Sequence, residues 1–92
     1  MAFGNFKKKS VTYKLITNGK ANYIGTTNDP NRRLVEHIQS GKAFDQMVIT
    51  SQGLSRQEAE RREARNIKSY REATGHNPVY NKTPDGKFRK QF

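Results

Sequence analysis

The chain has no cysteine. Disulfide staples, thiolate metal sites and cysteine nucleophiles are therefore excluded. Histidine is scarce as well: His37 and His76 are the only two, too few for a zinc site without carboxylate help. Apolar residues make up only 32% of the chain. They come in runs of a few residues, far short of the roughly 20 that a membrane helix needs. The basic run Lys7-Lys8-Lys9 is not followed by an apolar stretch, so it does not read as a secretory leader. A cytoplasmic setting with no membrane contact is expected. Acid is the last shortage: 8 Asp plus Glu stand against 18 Lys plus Arg, a net charge of +10 on 92 residues.

A chain of this length makes one small domain that buries roughly 60–65% of its unfolded surface, and its core must be thin. The positive residues run from Lys7 to Lys90 instead of crowding into one tail. A folded domain so charged attracts polyanions, nucleic acid foremost, although a basic ribosomal or structural protein would share the signature. The expected layout is a basic arm over 1–10, a folded domain over 11–82 and a basic tail over 83–92.

Val11 to Thr17 alternates and is rich in β-branched and aromatic residues, which predicts a strand. Asn18-Gly19 is a turn signal, and Asn22 to Thr26 is read as the returning strand. Asp29 is a good helix N-cap and Pro30 suits the first helical position. Leu34 and Ile38 give that helix a short apolar line, with Gly41 as its stop. Phe44 to Thr50 is read as a third strand around Met47-Val48-Ile49. Ser55-Arg56-Gln57-Glu58 is a capping box that opens a second helix reaching Tyr70 or Ala73. The order β-β-α-β-α predicts an α+β fold, a small three-stranded, mostly antiparallel sheet flanked by helices.

Tyr13 falls in the first strand and Tyr23 in the second. A plain two-residue loop at Asn18-Gly19 pairs 14 with 23 and sends the two tyrosines to opposite faces. An odd loop or a bulge pairs 15 with 23 and puts both on one face. Arg33 and His37 are one helical turn apart and share a line, with Leu34 and Ile38 on the adjacent line about 100° round. The apolar line must face the sheet, so Arg33 and His37 are expected at the margin of the packed face. Arg32–Glu36, Arg56–Glu60 and Glu58–Arg62 read as ordinary i,i+4 surface pairs. Glu63 differs: Ala59 precedes it and Ile67 follows it at four-residue spacing, so it lies on the apolar stripe of its helix. A carboxylate there is costly unless something cationic meets it. An arginine, a lysine or a metal ion could be that partner.

Tyr13, Tyr23-Ile24-Gly25, Arg33, His37, Glu63 and Asn81 together resemble the GIY-YIG endonuclease domain over roughly residues 11–82. One departure is clear: Val11-Thr12-Tyr13 stands where the family usually has Gly-Ile-Tyr, so the tyrosine is kept and the glycine is not. The resemblance implies hydrolysis of a DNA phosphodiester, with double-stranded DNA as the expected partner and one Mg²⁺ or Mn²⁺ ion whose only protein ligand is Glu63. It implies Tyr13 as general base, assisted by His37, with Arg33 on the scissile phosphate, Tyr23 orienting water or phosphate, and Asn81 supporting the site from behind. Lys7, Lys8, Lys9, Lys14, Lys42, Lys82, Lys87, Arg89 and Lys90 are candidates for gripping the nucleic-acid backbone, contacts that carry salt dependence but no sequence choice. Specificity is then weak, or supplied by the tails, a homo-oligomer or a targeting partner. The alternative is a nucleic-acid-binding module of this fold with little or no catalysis.

Overall fold

The computed structural model describes residues 9–81. Its elements are β1 (Ser10–Thr17), β2 (Lys20–Thr27), α1 (Pro30–Gln39), β3 (Gln46–Leu54) and α2 (Arg56–Thr74). The three strands form one antiparallel sheet in the order β2-β1-β3. The fold is thus α+β with the expected element order. β1 takes the centre because both of its faces can be buried: Val11, Tyr13 and Leu15 on one side, Thr12 on the other. The arm expected over 1–10 gives up its last residue, since Ser10 is buried and paired with Leu54. Lys7, Lys8, Lys82, Lys87, Arg89 and Lys90 lie outside the described residues.

The hairpin joining β1 and β2 decides where the tyrosines point. Asn18 (φ 52°) and Gly19 (φ 77°) both adopt positive φ, the conformation of a two-residue hairpin turn. Thr17 pairs with Lys20 and Ile16 with Ala21, but Leu15 pairs with Tyr23. Asn22 is therefore the extra residue of a β-bulge. Its side chain donates to Thr17 Oγ1 (2.7 Å) and to the Ala43 carbonyl (3.0 Å), which holds the bulge in place. Below it, Tyr13 stands opposite Gly25, so Tyr13 and Tyr23 share a face.

α1 begins as expected. The Asp29 carboxylate accepts from the Arg32 amide (3.2 Å) and Pro30 occupies the first turn. Its packing corrects the sequence reading. Ile38 is 59% exposed and Val35 is exposed beside it, whereas His37 is only 5% exposed. The helix does not lie flat on the sheet with an apolar line beneath it; it meets the sheet through the polar line of Arg33 and His37. The third strand is also displaced. Phe44 is not in it, because Asp45 is already committed to the turn region: its amide donates to the Ile16 carbonyl and its carboxylate accepts from the Asn18 amide. At the other end β3 runs on through Ser51-Gln52-Gly53, paired with Ser10 and Thr12 across register shifts.

α2 opens on the Ser55 cap, whose hydroxyl accepts from the Glu58 amide (3.0 Å), and closes on Gly75 in the left-handed conformation. Ala59 and Ile67 are fully buried, with the half-buried Glu63 between them. Arg56–Glu60 (3.2 Å) and Arg32–Glu36 (3.7 Å) form as expected. The Glu58–Arg62 pair does not form: among the described residues no ion pair engages Arg62.

After α2 the chain returns along the outer edge of β2. The Tyr80 amide donates to the Asn22 carbonyl (2.8 Å). The buried Asn81 amide accepts from Ile24 N (2.9 Å) and donates to Ile24 O (3.0 Å). One side chain thereby satisfies both backbone groups that an edge strand would leave open at the centre of Tyr23-Ile24-Gly25. Asn81→Ala should cost about 2 kcal/mol, the penalty for stranding a buried donor and acceptor. Urea unfolding checks this, and a loss below about 0.5 kcal/mol would mean that water replaces the amide freely.

Candidate active site

Tyr13 is completely buried, and its hydroxyl lies 2.7 Å from His37 Nε2. Tyr23 closes the other side, with ring centroids 6.0 Å from Tyr13 and 5.0 Å, edge-on, from His37. The bulge places the two phenols on one face, and the four-residue spacing of α1 brings Arg33 beside His37. Gly25 is needed because a Cβ there would meet Tyr13 Oη and Tyr23 Cε2, each at 2.7 Å. No other residue lets both rings lean across β2 in this way.

The charges explain the protonation states. His37 is lowered to about 4 by burial, then by the nearby charges of Lys42 and Arg33, so the ring is neutral at pH 7. Burial drives the Tyr13 pKa up; Tyr23 and Glu63 push the same way, while Arg33 opposes them. The phenol is therefore protonated in the resting site. A neutral imidazole beside a protonated phenol makes Tyr13 the donor and Nε2 the acceptor when the ring proton sits on Nδ1. Burial works against the Arg33 charge, but Tyr13, Glu36 and Tyr23 outweigh it and raise its pKa. Arg33 Nε is 3.0 Å from Glu36 Oε1, yet its N–H is not aimed at that oxygen, so this buried donor makes no hydrogen bond.

A folded-state pKa of about 4 against an ordinary 6.5 for His37 has a stability consequence. Below pH 6.5 the unfolded chain takes up a proton that the folded chain refuses. The contribution is intact above 6.5 and is lost as pH falls towards 4, amounting to about 3 kcal/mol. Urea titrations at neutral and mildly acid pH should show this loss in the wild type, and a smaller one in His37→Gln.

Glu63 acts on the same phenol from α2, close enough for its charge to add to the rise in the Tyr13 pKa. Among the described residues no three His, Cys, Asp or Glu side chains gather to hold a metal. Glu63 is the one carboxylate whose charge reaches the Tyr13 phenol. It fits a hard divalent ion that takes a single protein oxygen and leaves its other positions to water and phosphate. Asn81 does not join the side chains that surround the Tyr13 hydroxyl; it holds the β2 backbone that carries Tyr23. Lys42 stands over the rings of Tyr23 (5.6 Å) and Tyr80 (5.7 Å), at the margin of the site. Lys9 is exposed, and Lys14 points to the opposite face of the sheet. Phe44, assigned by its neighbours to a strand, instead sets its ring edge-on to His37 at 6.5 Å. Only a correct strand boundary could have revealed it.

The family model described as the GIY-YIG catalytic domain matches residues 9–77. No curated protein and no solved structure matches the chain. The matched span holds Tyr13, Tyr23, Arg33, His37 and Glu63 and stops short of Asn81. With most of its length covered by that match, the chain belongs to the GIY-YIG family, whose catalytic domain is a nuclease domain.

Proposed function

We propose that this protein is a divalent-metal-dependent endonuclease that hydrolyses DNA phosphodiester bonds, with duplex DNA as substrate and Tyr13 as general base. The observation that carries the reading is the 2.7 Å contact between Tyr13 Oη and His37 Nε2, inside a buried site flanked by Arg33. As water attacks phosphorus, Tyr13 Oη takes a proton from it and passes its own proton to His37 Nε2. A preformed phenolate is not needed, which suits a phenol whose pKa is raised. The incoming phosphate brings negative charge beside His37 and strengthens it as the final acceptor. Arg33, with its unused Nε–H, binds a non-bridging phosphate oxygen through its planar fork. Tyr23 orients the water or the phosphate. Glu63 would hold one Mg²⁺ or Mn²⁺ ion, which supplies charge stabilisation at the phosphate and the leaving oxygen.

A nicking assay on supercoiled plasmid tests this. Cleavage should require the divalent ion and disappear in Glu63→Gln and Arg33→Ala while DNA binding survives. Binding without cleavage under any divalent ion would favour the nucleic-acid-binding module instead.

A further inference from the structure

Tyr13 and Lys14 are consecutive in an unbroken stretch of β1, so they point to opposite faces of the sheet. Lys14 and its cross-strand partner Ile24 form the floor of a groove on the face away from the tyrosines. α2 makes its wall with Arg62, Arg65, Asn66 and Ser69, and Ser51 closes it from β3. The groove shares no residue with the candidate active site. Three cations line it, and no Asp or Glu does. Lys14 and Arg62 are half-buried, yet among the described residues no ion pair engages Lys14, Arg62 or Arg65. Three cations lining one groove without a counter-charge make its local potential positive. An anion with regularly spaced charges matches that potential, and the hydroxyl and amide groups between the cations supply neutral hydrogen bonds to phosphate oxygens.

We infer that this groove is a second nucleic-acid site, which takes the sugar–phosphate backbone of a stretch other than the one being cut. Lys14 in the groove and Tyr13 in the candidate active site point to opposite faces of β1, while α2 lends Glu63 to one site and Arg62 and Arg65 to the other. The protein holds two lengths of backbone at once, one at Tyr13 and Arg33 and one along Lys14, Arg62 and Arg65. That the first length is the one cleaved rests on the nuclease reading above; the groove itself does not.

The test measures duplex binding by fluorescence anisotropy against salt, in EDTA so that no cleavage intervenes. Three full-length proteins are compared: wild type, the groove variant Lys14→Gln/Arg62→Gln/Arg65→Gln, and the control Lys20→Gln/Arg61→Gln/Lys68→Gln. The control removes the same charge from exposed positions outside the groove. The groove variant should lower the slope of log affinity against log salt by about 3, one for each phosphate that is no longer neutralised. The control should lower it by less than about 1. A groove variant with the wild-type slope, or a control that falls as far, overturns the inference. If the triple variant loses its circular dichroism signal, the exposed Arg65→Gln alone carries the test, with an expected fall of about 1. A second assay mixes donor- and acceptor-labelled duplexes. Wild type should bring them together in energy transfer and the groove variant should not; no transfer with wild type overturns the two-segment claim. Plasmid nicking with Mg²⁺ is read separately, so a protein that fails to cut but loses its salt slope keeps the groove and loses the nuclease.

Discussion

Glu63→Gln should reduce the rate of plasmid nicking by about a thousandfold or more, with metal-free duplex binding retained. The reduction is what removal of a major source of transition-state charge stabilisation costs. Gln fits the space between Ala59 and Ile67 on the buried stripe of α2, so packing and helix propensity barely change. What changes is the charge. Glu63 is the carboxylate whose field reaches Tyr13, and the protein oxygen best suited there to a hard cation. The loss should appear in kcat and should not be restored by saturating DNA. Superimposable circular dichroism spectra would show that folding is intact. A variant that still cuts within about tenfold of wild type removes Glu63 as the metal ligand.

Tyr13→Phe should lower kcat by about 10²–10⁴, the range for loss of a positioned proton acceptor. Phe keeps the buried ring that leans over Gly25 and deletes one oxygen. His37 Nε2 then loses its 2.7 Å partner, which adds a stability cost of about 1–3 kcal/mol. Activity must therefore be compared where both proteins are folded. His37→Gln is the informative companion. If Tyr13 takes the proton directly from water, that variant retains more activity than Tyr13→Phe, because a Gln side chain or water can still accept from the phenol. If the two variants fall equally, the phenol works only as a unit with the imidazole. If Tyr13→Phe cuts as fast as wild type, Tyr13 is not the base.

Much of this site was legible in the chain because its parts are local. The step from Tyr23 to Arg33 to His37 is fixed by a turn, an Asp29 cap and one helical repeat, all of which short-range rules describe. The shared face of Tyr13 and Tyr23 was legible as a condition, and the bulge at Asn22 met it through hydrogen bonds to Thr17 and Ala43. What the chain hid is tertiary. An apolar line at Leu34 and Ile38 looks like the packed face of α1, but Ile38 is exposed and His37 is buried. Aromatic partners on the sheet drew the polar line inward. In α2, Arg62 four residues after Glu58 looks like a solvated ion pair, and periodicity has no means to tell it from a cation turned into a groove. The end of β3 escaped because Ser51-Gln52-Gly53 lacks strand propensity and is held by its pairing with β1.

The clamp by Asn81 has a consequence in time. It fastens Ile24 across 57 positions of chain, one of the longest separations bridged within the domain. Closing a loop of that length costs more chain entropy than forming the hairpin and helices within it. During synthesis the strand that carries Tyr23 and Gly25 has its outer edge open until residue 81 has left the ribosome. A nascent chain can thus display Tyr13, Tyr23, Arg33, His37 and Glu63 before the backbone beneath the two tyrosines is pinned.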